Sequence, residues 1–282
     1  MTPAEIIRRD LGPLSASLGL EPSEARLEIH ILLGHALGVS RAWLIAHEHD
    51  ALPAALLEKY DALLTRRLAG EPVAYLLGER EFFGRSFQVT PDVLVPRPET
   101  ELLVELALEK LPPSARALDL GTGSGCIAIT LALERPDCGI IAVDQSEAAL
   151  AVAKRNAVHL GAKLGFYPGN WYAALPADME KFDLIASNPP YVAEGDPHLA
   201  ALGHEPAGAL ASGPDGLADI HRIVEGAPAW LKPGGWLLFE HGWGQGEACR
   251  GLLRQAGFCD VETRADLAGI GRVTLGRHES GL

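Results

Sequence analysis

Hydrophobic positions change their period twice along the chain. From residue 1 to about 78, apolar residues recur at helical spacing with no alternating stretch between them. Ser23 is placed to cap a helix carrying Leu27, Ile31 and the Ala36-Leu37 pair, which Gly38 ends. Ser40 is placed to cap a short helix with Trp43 and Leu44. Pro53 opens a third, with Leu56, Leu57, Leu63, Leu64 and Leu68, stopped by Gly70-Glu71-Pro72. This predicts a small helical bundle over 1–78. Over 79–98 the period falls to two. Phe83, Arg85, Phe87 and Val89 alternate, Thr90-Pro91-Asp92 reads as a turn, and Val93 and Val95 alternate up to Pro96-Arg97-Pro98. The pattern predicts a β-hairpin linking two domains.

Residues 99–282 form the expected second domain. A helix with Leu102, Leu103, Leu106 and Leu111 leads into apolar runs at 117–120, 140–143, 164–167, 182–186 and 236–239, with helical candidates between them. Strands alternating with helices predict an α/β fold with a mostly parallel sheet covered on both faces. The last two runs, 261–263 and 272–275, are separated by too few residues for a crossover helix, so they are expected to pair antiparallel.

Candidate chemistry gathers at the ends of these runs. The stretch DLGTGSG (119–125) follows the first strand and precedes a helix. Its Gly121, Gly123 and Gly125 permit tight turns and close approach of backbone to a ligand, with Thr122 and Ser124 between them. Cys126 stands where a dinucleotide fingerprint would have its third glycine, and there is no Gly-Lys-Ser/Thr phosphate loop. Asp144 ends the second strand, where an acid accepts from a ribose diol. Loop and acid together point to an adenosyl ligand without a pyrophosphate, which S-adenosyl-L-methionine satisfies. Asp119 can bond the loop amides or the ligand's ammonium. Trp171 can lie against an adenine face, or be a half-buried loop aromatic; Asn170 can reach the adenine amine.

SNPPY (187–191) follows the fourth strand. Pro189 and Pro190 fix φ and donate no hydrogen bond, so the corner is stiff. A planar amide nitrogen is a poor nucleophile because its lone pair is delocalised. Two acceptors aimed at its N–H groups, the Asn188 side-chain oxygen and the Pro189 carbonyl, would turn that pair outward and offset the charge that grows on nitrogen. Tyr191 can stack on the amide plane. Such a corner also serves as a simple turn when it stands alone.

Charge and composition narrow the field. The 282 residues carry 24 Lys and Arg against 37 Asp and Glu, a net charge of −13, which disfavours a nucleic-acid partner and suits a basic protein. The four cysteines have no metal spacing and read as reduced thiols, and no metal is expected. No apolar run is long enough for a membrane, and no leader is evident. His47 and His49 read as solvated; His241 either touches substrate or fills a polar strand edge.

These motifs carry a family resemblance across nearly the whole chain. The helical region, VPRPETE (95–101), DLGTGSG, NPPY (188–191), EPAGAL (205–210), GPDGL (213–217) and LLFEHGWGQG (237–246) resemble the protein-(glutamine-N5) methyltransferases of peptide chain release factors, the PrmC/HemK family. The resemblance implies a class I, Rossmann-like methyltransferase sheet of seven strands in the order 3-2-1-4-5-7-6. It implies S-adenosyl-L-methionine as cofactor, held by Gly121, Thr122, Gly123, Ser124, Gly125, Asp144, Trp171 and Asn188. It implies that Asn188, Pro189, Pro190 and Tyr191 hold the glutamine of a Gly-Gly-Gln motif in peptide chain release factors 1 and 2, with the helical domain as docking surface. A cytoplasmic monomer with no direct nucleic-acid contact is expected. NPPY is shared with N6-adenine methyltransferases of DNA or RNA, which is the alternative reading.

Overall fold

The computed structural model describes residues 1–279. The chain divides into two compact units, Met1–Glu79 and the remainder from Arg80. The last three residues of the 99–282 region lie outside the described part.

The first unit contains α1 (Pro3–Leu18), α2 (Pro22–Leu37), α3 (Arg41–Ala46), α4 (Ala54–Leu68) and α5 (Val73–Leu77). Thr2 and Glu5 start α1 with a reciprocal capping box: Glu5 N donates to Thr2 Oγ1 at 3.2 Å and Thr2 N to Glu5 Oε2 at 2.8 Å. Ser40 and Pro53 sit at the helix starts the sequence assigns them, but Ser23 does not. Glu21 caps α2, and Pro22 fills its first turn, where a missing N–H costs nothing. The buried face of α2 is Ala25, Ile29, Leu32 and Leu33, a spacing of four, three and one, while Leu27 is exposed. With Ile6, Leu14, Leu44 and Tyr60 they form this unit's core.

The hairpin is shorter than expected. β1 (Glu79–Phe82) pairs with β2 (Arg85–Gln88), and the hairpin turn is Phe83-Gly84; Thr90-Pro91-Asp92 also turns the chain, Val93 N donating to Thr90 O at 3.1 Å, but it follows the hairpin. Phe83 and Gly84 both have left-handed φ, 51° and 68°, the signature of a two-residue turn that matches strand twist. Val93 and Val95 are buried, yet 89–98 forms no strand. Phe82 and Phe87 meet edge to face at 6.0 Å and belong to a core of the second unit.

That unit continues with α6 (Thr100–Lys110), β3 (Arg116–Leu120), α7 (Cys126–Glu134), β4 (Gly139–Asp144), α8 (Glu147–Leu160), β5 (Gly165–Pro168) and β6 (Phe182–Ser187). It ends with α9 (Ala218–Trp230), β7 (Leu231–Glu240), α10 (Gly246–Gln255), β8 (Phe258–Ala265) and β9 (Gly271–His278). The sheet order is β5-β4-β3-β6-β7-β9-β8. Counted within the sheet, that is the implied 3-2-1-4-5-7-6. The first five strands are parallel, and β9 runs antiparallel to both β7 and β8.

The period-two rule divides the two faces. Ala117, Ala142, Leu184, Ala186 and Leu238 face one core with α6 and α7 residues; Leu118, Leu120, Ile185, Leu237 and Phe239 face the other with α9 and α10 residues. Among the described residues, no helix is long and apolar enough to cross a membrane, and no group of three acidic, His or Cys side chains is arranged for a metal.

Candidate active site

Strand register assembles the site. Leu120 of β3 pairs with Val143 of β4 and with Ser187 of β6, and Ser187 pairs with Phe239 of β7. The next residue on each strand is therefore Gly121, Asp144, Asn188 or Glu240. Four residues far apart in sequence emerge in one row at the carboxyl edge, where open parallel sheets bind ligands. Ser187 Oγ donates to Leu120 O at 2.7 Å and stitches the two central strands just below that row.

The glycine loop has the required backbone. Gly121, Gly123 and Gly125 have φ of 73°, 54° and 84°. A Cβ on Gly125 would fall 2.7 Å from Ile129 Cδ1 and 3.1 Å from Ala153 Cβ, so this position needs glycine for space as well as conformation. Asp144 holds the loop from the neighbouring strand: Oδ2 accepts from Gly123 N at 2.8 Å and Oδ1 from Ser146 N at 2.9 Å. Burial raises its carboxyl above the ordinary range despite these bonds. Asn156, on α8, braces the same loop, donating to Ser124 O at 2.8 Å and to Gln88 O at 3.0 Å.

Asp119 is fully buried. Oδ2 accepts from Thr122 Oγ1 at 2.6 Å and Ala128 N at 3.3 Å, while Oδ1 has no partner among the described residues. Burial pushes its carboxyl up to about 7. A buried oxygen without a donor is costly, and an ammonium group would satisfy it.

Trp171 opens a short helical turn after β5 with a left-handed φ of 46°. Its Nε1 donates to Asp219 Oδ1 at 3.3 Å, and Asp219 in turn accepts from Ser212 Oγ at 2.8 Å. Gly121, Thr122, Gly123, Ser124, Asp144, Asn170, Trp171 and Asn188 all line one cleft. Gly125, Pro189 and Tyr191 do not line it, although Pro190 does.

At the proline corner, Asn188 Nδ2 donates to Thr100 Oγ1 at 3.1 Å. Its Oδ1 is shielded from solvent and has no partner among the described residues. Pro189 is buried. Tyr191 turns its hydroxyl to Glu240 Oε1 at 3.2 Å. Gly216 closes the corner from outside: a Cβ there would lie 2.2 Å from Tyr191 O. Glu240 also accepts from Thr100 Oγ1 at 2.7 Å. His241 fills a polar strand edge, its ring bonded to Thr274 Oγ1 at 2.9 Å and Gly242 O at 3.0 Å.

The sequence reading missed Thr100, Glu240, Glu205, Asp219 and Asn156 as supporting residues. The first three stand inside the VPRPETE, LLFEHGWGQG and EPAGAL stretches, which was the available signal. Glu205 accepts from Val95 N at 3.0 Å and pairs with Arg97. It thereby ties 93–97 to 206–209, and both segments contribute to the cleft. Glu205→Ala should raise hydrogen exchange at the Val95 amide by about tenfold or more, because one lost bond of this kind is worth about 1.4 kcal/mol. Exchange at 117–120 should stay as it was. Unchanged protection at Val95 would contradict the tie.

The sheet order, the glycine turn and the acid ending the adjacent strand define a class I methyltransferase fold. Solved structures share it. The chain aligns with a methyltransferase from Pyrococcus furiosus at TM-score 0.55 and 18% identity, covering 77% of this chain and 98% of that one. It aligns with the T. thermophilus 16S rRNA N2 G1207 methyltransferase, solved in complex with AdoMet and guanosine, at TM-score 0.53 and 20% identity, covering 71% and 50%. The PrmC N-terminal domain family matches residues 16–78, and the methyltransferase small domain family matches 98–205.

The release factor glutamine methyltransferase of Bordetella pertussis is 55% identical over 91% of this chain and 96% of its own length. That of Burkholderia pseudomallei is 51% identical over 98% and 96%, and that of Escherichia coli 47% over 92% and 95%. The chain belongs to the release factor glutamine methyltransferase family, and it is a methyltransferase.

Proposed function

We propose that this protein methylates the side-chain nitrogen, N5, of the glutamine in the Gly-Gly-Gln motif of peptide chain release factors 1 and 2, using S-adenosyl-L-methionine. The observation that carries the reading beyond family membership is the Asn188 carboxamide. Its nitrogen is engaged, its oxygen has no partner among the described residues, and Asn188 is one of the residues lining the cleft beside the glycine loop.

The residues present fit the cofactor. The left-handed glycine turn leaves backbone open to a ligand, Asp144 retains free lone pairs for a diol, and Asp119 Oδ1 has no partner among the described residues. Gly121 to Ser124, Asp144 and Trp171 would hold the nucleoside, with Gly125 shaping the loop behind them and Asp119, buried beneath the loop and outside the cleft lining, offering its second oxygen toward the ammonium. When bound, S-adenosyl-L-methionine supplies a methyl carbon on a positively charged sulfur that departs as a neutral thioether.

Asn188 Oδ1 accepts one N–H of the glutamine amide, and the Pro189 carbonyl, on a buried residue outside the cleft lining, accepts the other once the substrate has seated. This turns the nitrogen lone pair out of conjugation and toward the methyl carbon. Both acceptors offset the positive charge that nitrogen gains as the N–C bond forms, until it releases a proton. Pro189 and Pro190 keep the acceptors from swinging away, so little reorganisation is needed at the moment of transfer. Tyr191, anchored through Glu240, limits how the amide plane can lie. The enzyme acts as a monomer in the cytoplasm, and its helical region docks the release factor.

Mass spectrometry of a release factor incubated with enzyme and cofactor should show one added methyl on the Gly-Gly-Gln glutamine. An oligonucleotide offered in the same assay should stay unmodified. Transfer to adenine, with none to the glutamine, would overturn the reading.

A further inference from the structure

We propose that Thr100, held by Glu240, is a positioning residue that decides which end of the Asn188 carboxamide is left without a partner for the substrate to meet. The inference rests on the proposed role of Asn188 Oδ1 as acceptor for the substrate amide.

A carboxamide is nearly symmetric in shape. Turning it by half a revolution exchanges oxygen and NH₂ with little change in packing, so a hydrogen-bond partner must choose between the two states. A threonine hydroxyl has one proton to give. Ionised Glu240 only accepts, so the Thr100 proton goes to its Oε2, at 2.7 Å. The hydroxyl then has only lone pairs left for Asn188, whose Nδ2 stands 3.1 Å away. The chain of bonds has one polarity: carboxylate, hydroxyl, NH₂, then a free oxygen.

The reversed amide would set oxygen against oxygen at Thr100. It would also present NH₂ to the NH₂ of a glutamine, two donors facing each other with no acceptor between them. Thr100 and Glu240 are each 1% exposed, so bulk water does not compete to reset the order. No local pattern encodes this: the partners start α6, follow β6 and end β7.

Other groups face Glu240. Tyr191 donates to its second oxygen at 3.2 Å. Arg272 of β9 attracts its charge, Glu99 before α6 repels it, and the Cys126 thiol at the start of α7 is kept neutral by burial. Burial is the strongest influence and pushes the Glu240 carboxyl up to about 6. The ionised form that fixes the polarity therefore prevails at neutral pH and is lost as pH falls through about 6. Once protonated, Glu240 can donate to Thr100, whose proton is then free to turn toward Asn188.

The test uses the full-length enzyme with release factor as substrate and cofactor saturating, so that protonation of Asp119 or Asp144 does not limit the rate. Thr100→Val keeps shape but removes the acceptor. Its kcat should fall about tenfold to hundredfold, the scale of losing a group that orients a reacting one. Cofactor affinity by calorimetry should not change. Thr100→Ser should restore turnover. The parent enzyme should lose kcat on acidification near pH 6, and Thr100→Val should lack that limb. Asn188→Ala combined with Thr100→Val should be no slower than Asn188→Ala alone, because both act through one oxygen. In ¹⁵N spectra the Asn188 NH₂ pair, identified by its loss in Asn188→Ala, should move in Thr100→Val and hold its place in Thr100→Ser.

Parent-like kcat in Thr100→Val, or a loss additive with Asn188→Ala, would overturn the inference. Thr100→Ala gives the same answer should the valine variant not fold. Absence of glutamine methylation by the parent enzyme would overturn the proposed function and this inference with it. Methylation by the parent with an unaffected Thr100→Val would overturn this inference alone.

Discussion

Replacing Asn188 by alanine should lower kcat for glutamine methylation about 100- to 1000-fold, with cofactor affinity near that of the parent enzyme. The magnitude is that of removing one preorganised hydrogen-bond partner from a site of developing charge, about 2.7–4 kcal/mol. The split between kcat and cofactor affinity follows from the geometry. Asn188 Nδ2 is committed to Thr100, and its oxygen has no partner among the described residues to lose. Deleting the side chain therefore removes an acceptor for substrate without unsettling the glycine loop, which Asp144 and Asn156 brace from elsewhere. Single-turnover kinetics with saturating release factor, together with calorimetry on the cofactor, would check this. Turnover within a few-fold of the parent would end the assignment of Asn188 as the charge-offsetting group.

Asp144→Ala should show the opposite split. Cofactor affinity should drop by about 1–3 kcal/mol, or roughly fivefold to 150-fold in Kd, with a much smaller change in the rate at saturating cofactor. Two effects combine. The variant loses the acceptor for a ribose diol, and it releases Gly123 N and Ser146 N, which the carboxylate holds at 2.8 and 2.9 Å. Asp144→Asn keeps one acceptor oxygen and should lie between the two. Calorimetric titration of all three proteins measures the order. An alanine variant that binds as tightly as the parent would remove Asp144 from the cofactor site.

Much of this was legible without coordinates because its causes are local. Helical spacing marked the first 78 residues, and alternation of apolar runs with helices marked a parallel sheet. The short link between 261–263 and 272–275 forced the final antiparallel pair, seen as β8 and β9. The loop glycines announced their backbone, since three positive φ angles in five residues are accessible to little else. The hairpin was misplaced because Phe83 reads as a strand residue by type. It adopts a left-handed turn with Gly84 while Phe82 and Phe87 take the buried positions. Ser23 failed as a cap for a similar reason: Pro22 starts the helix two positions earlier than a Ser23 cap would, so the cap falls on Glu21.

Composition and short-range pattern thus settled the fold class, the strands, the glycine turn and the proline corner, all of which follow from periodicity and allowed φ within a few residues. Only the folded chain could place Asp144, Asn188 and Glu240 in a single row, because that depends on the residue-by-residue register of β3 with β4 and β6, and of β6 with β7, which strand order alone leaves open. The polarity of the Asn188 amide was likewise beyond any linear reading. It is decided by one hydroxyl proton passed between residues 140 positions apart, and nothing in the spacing of either reveals which way that proton points.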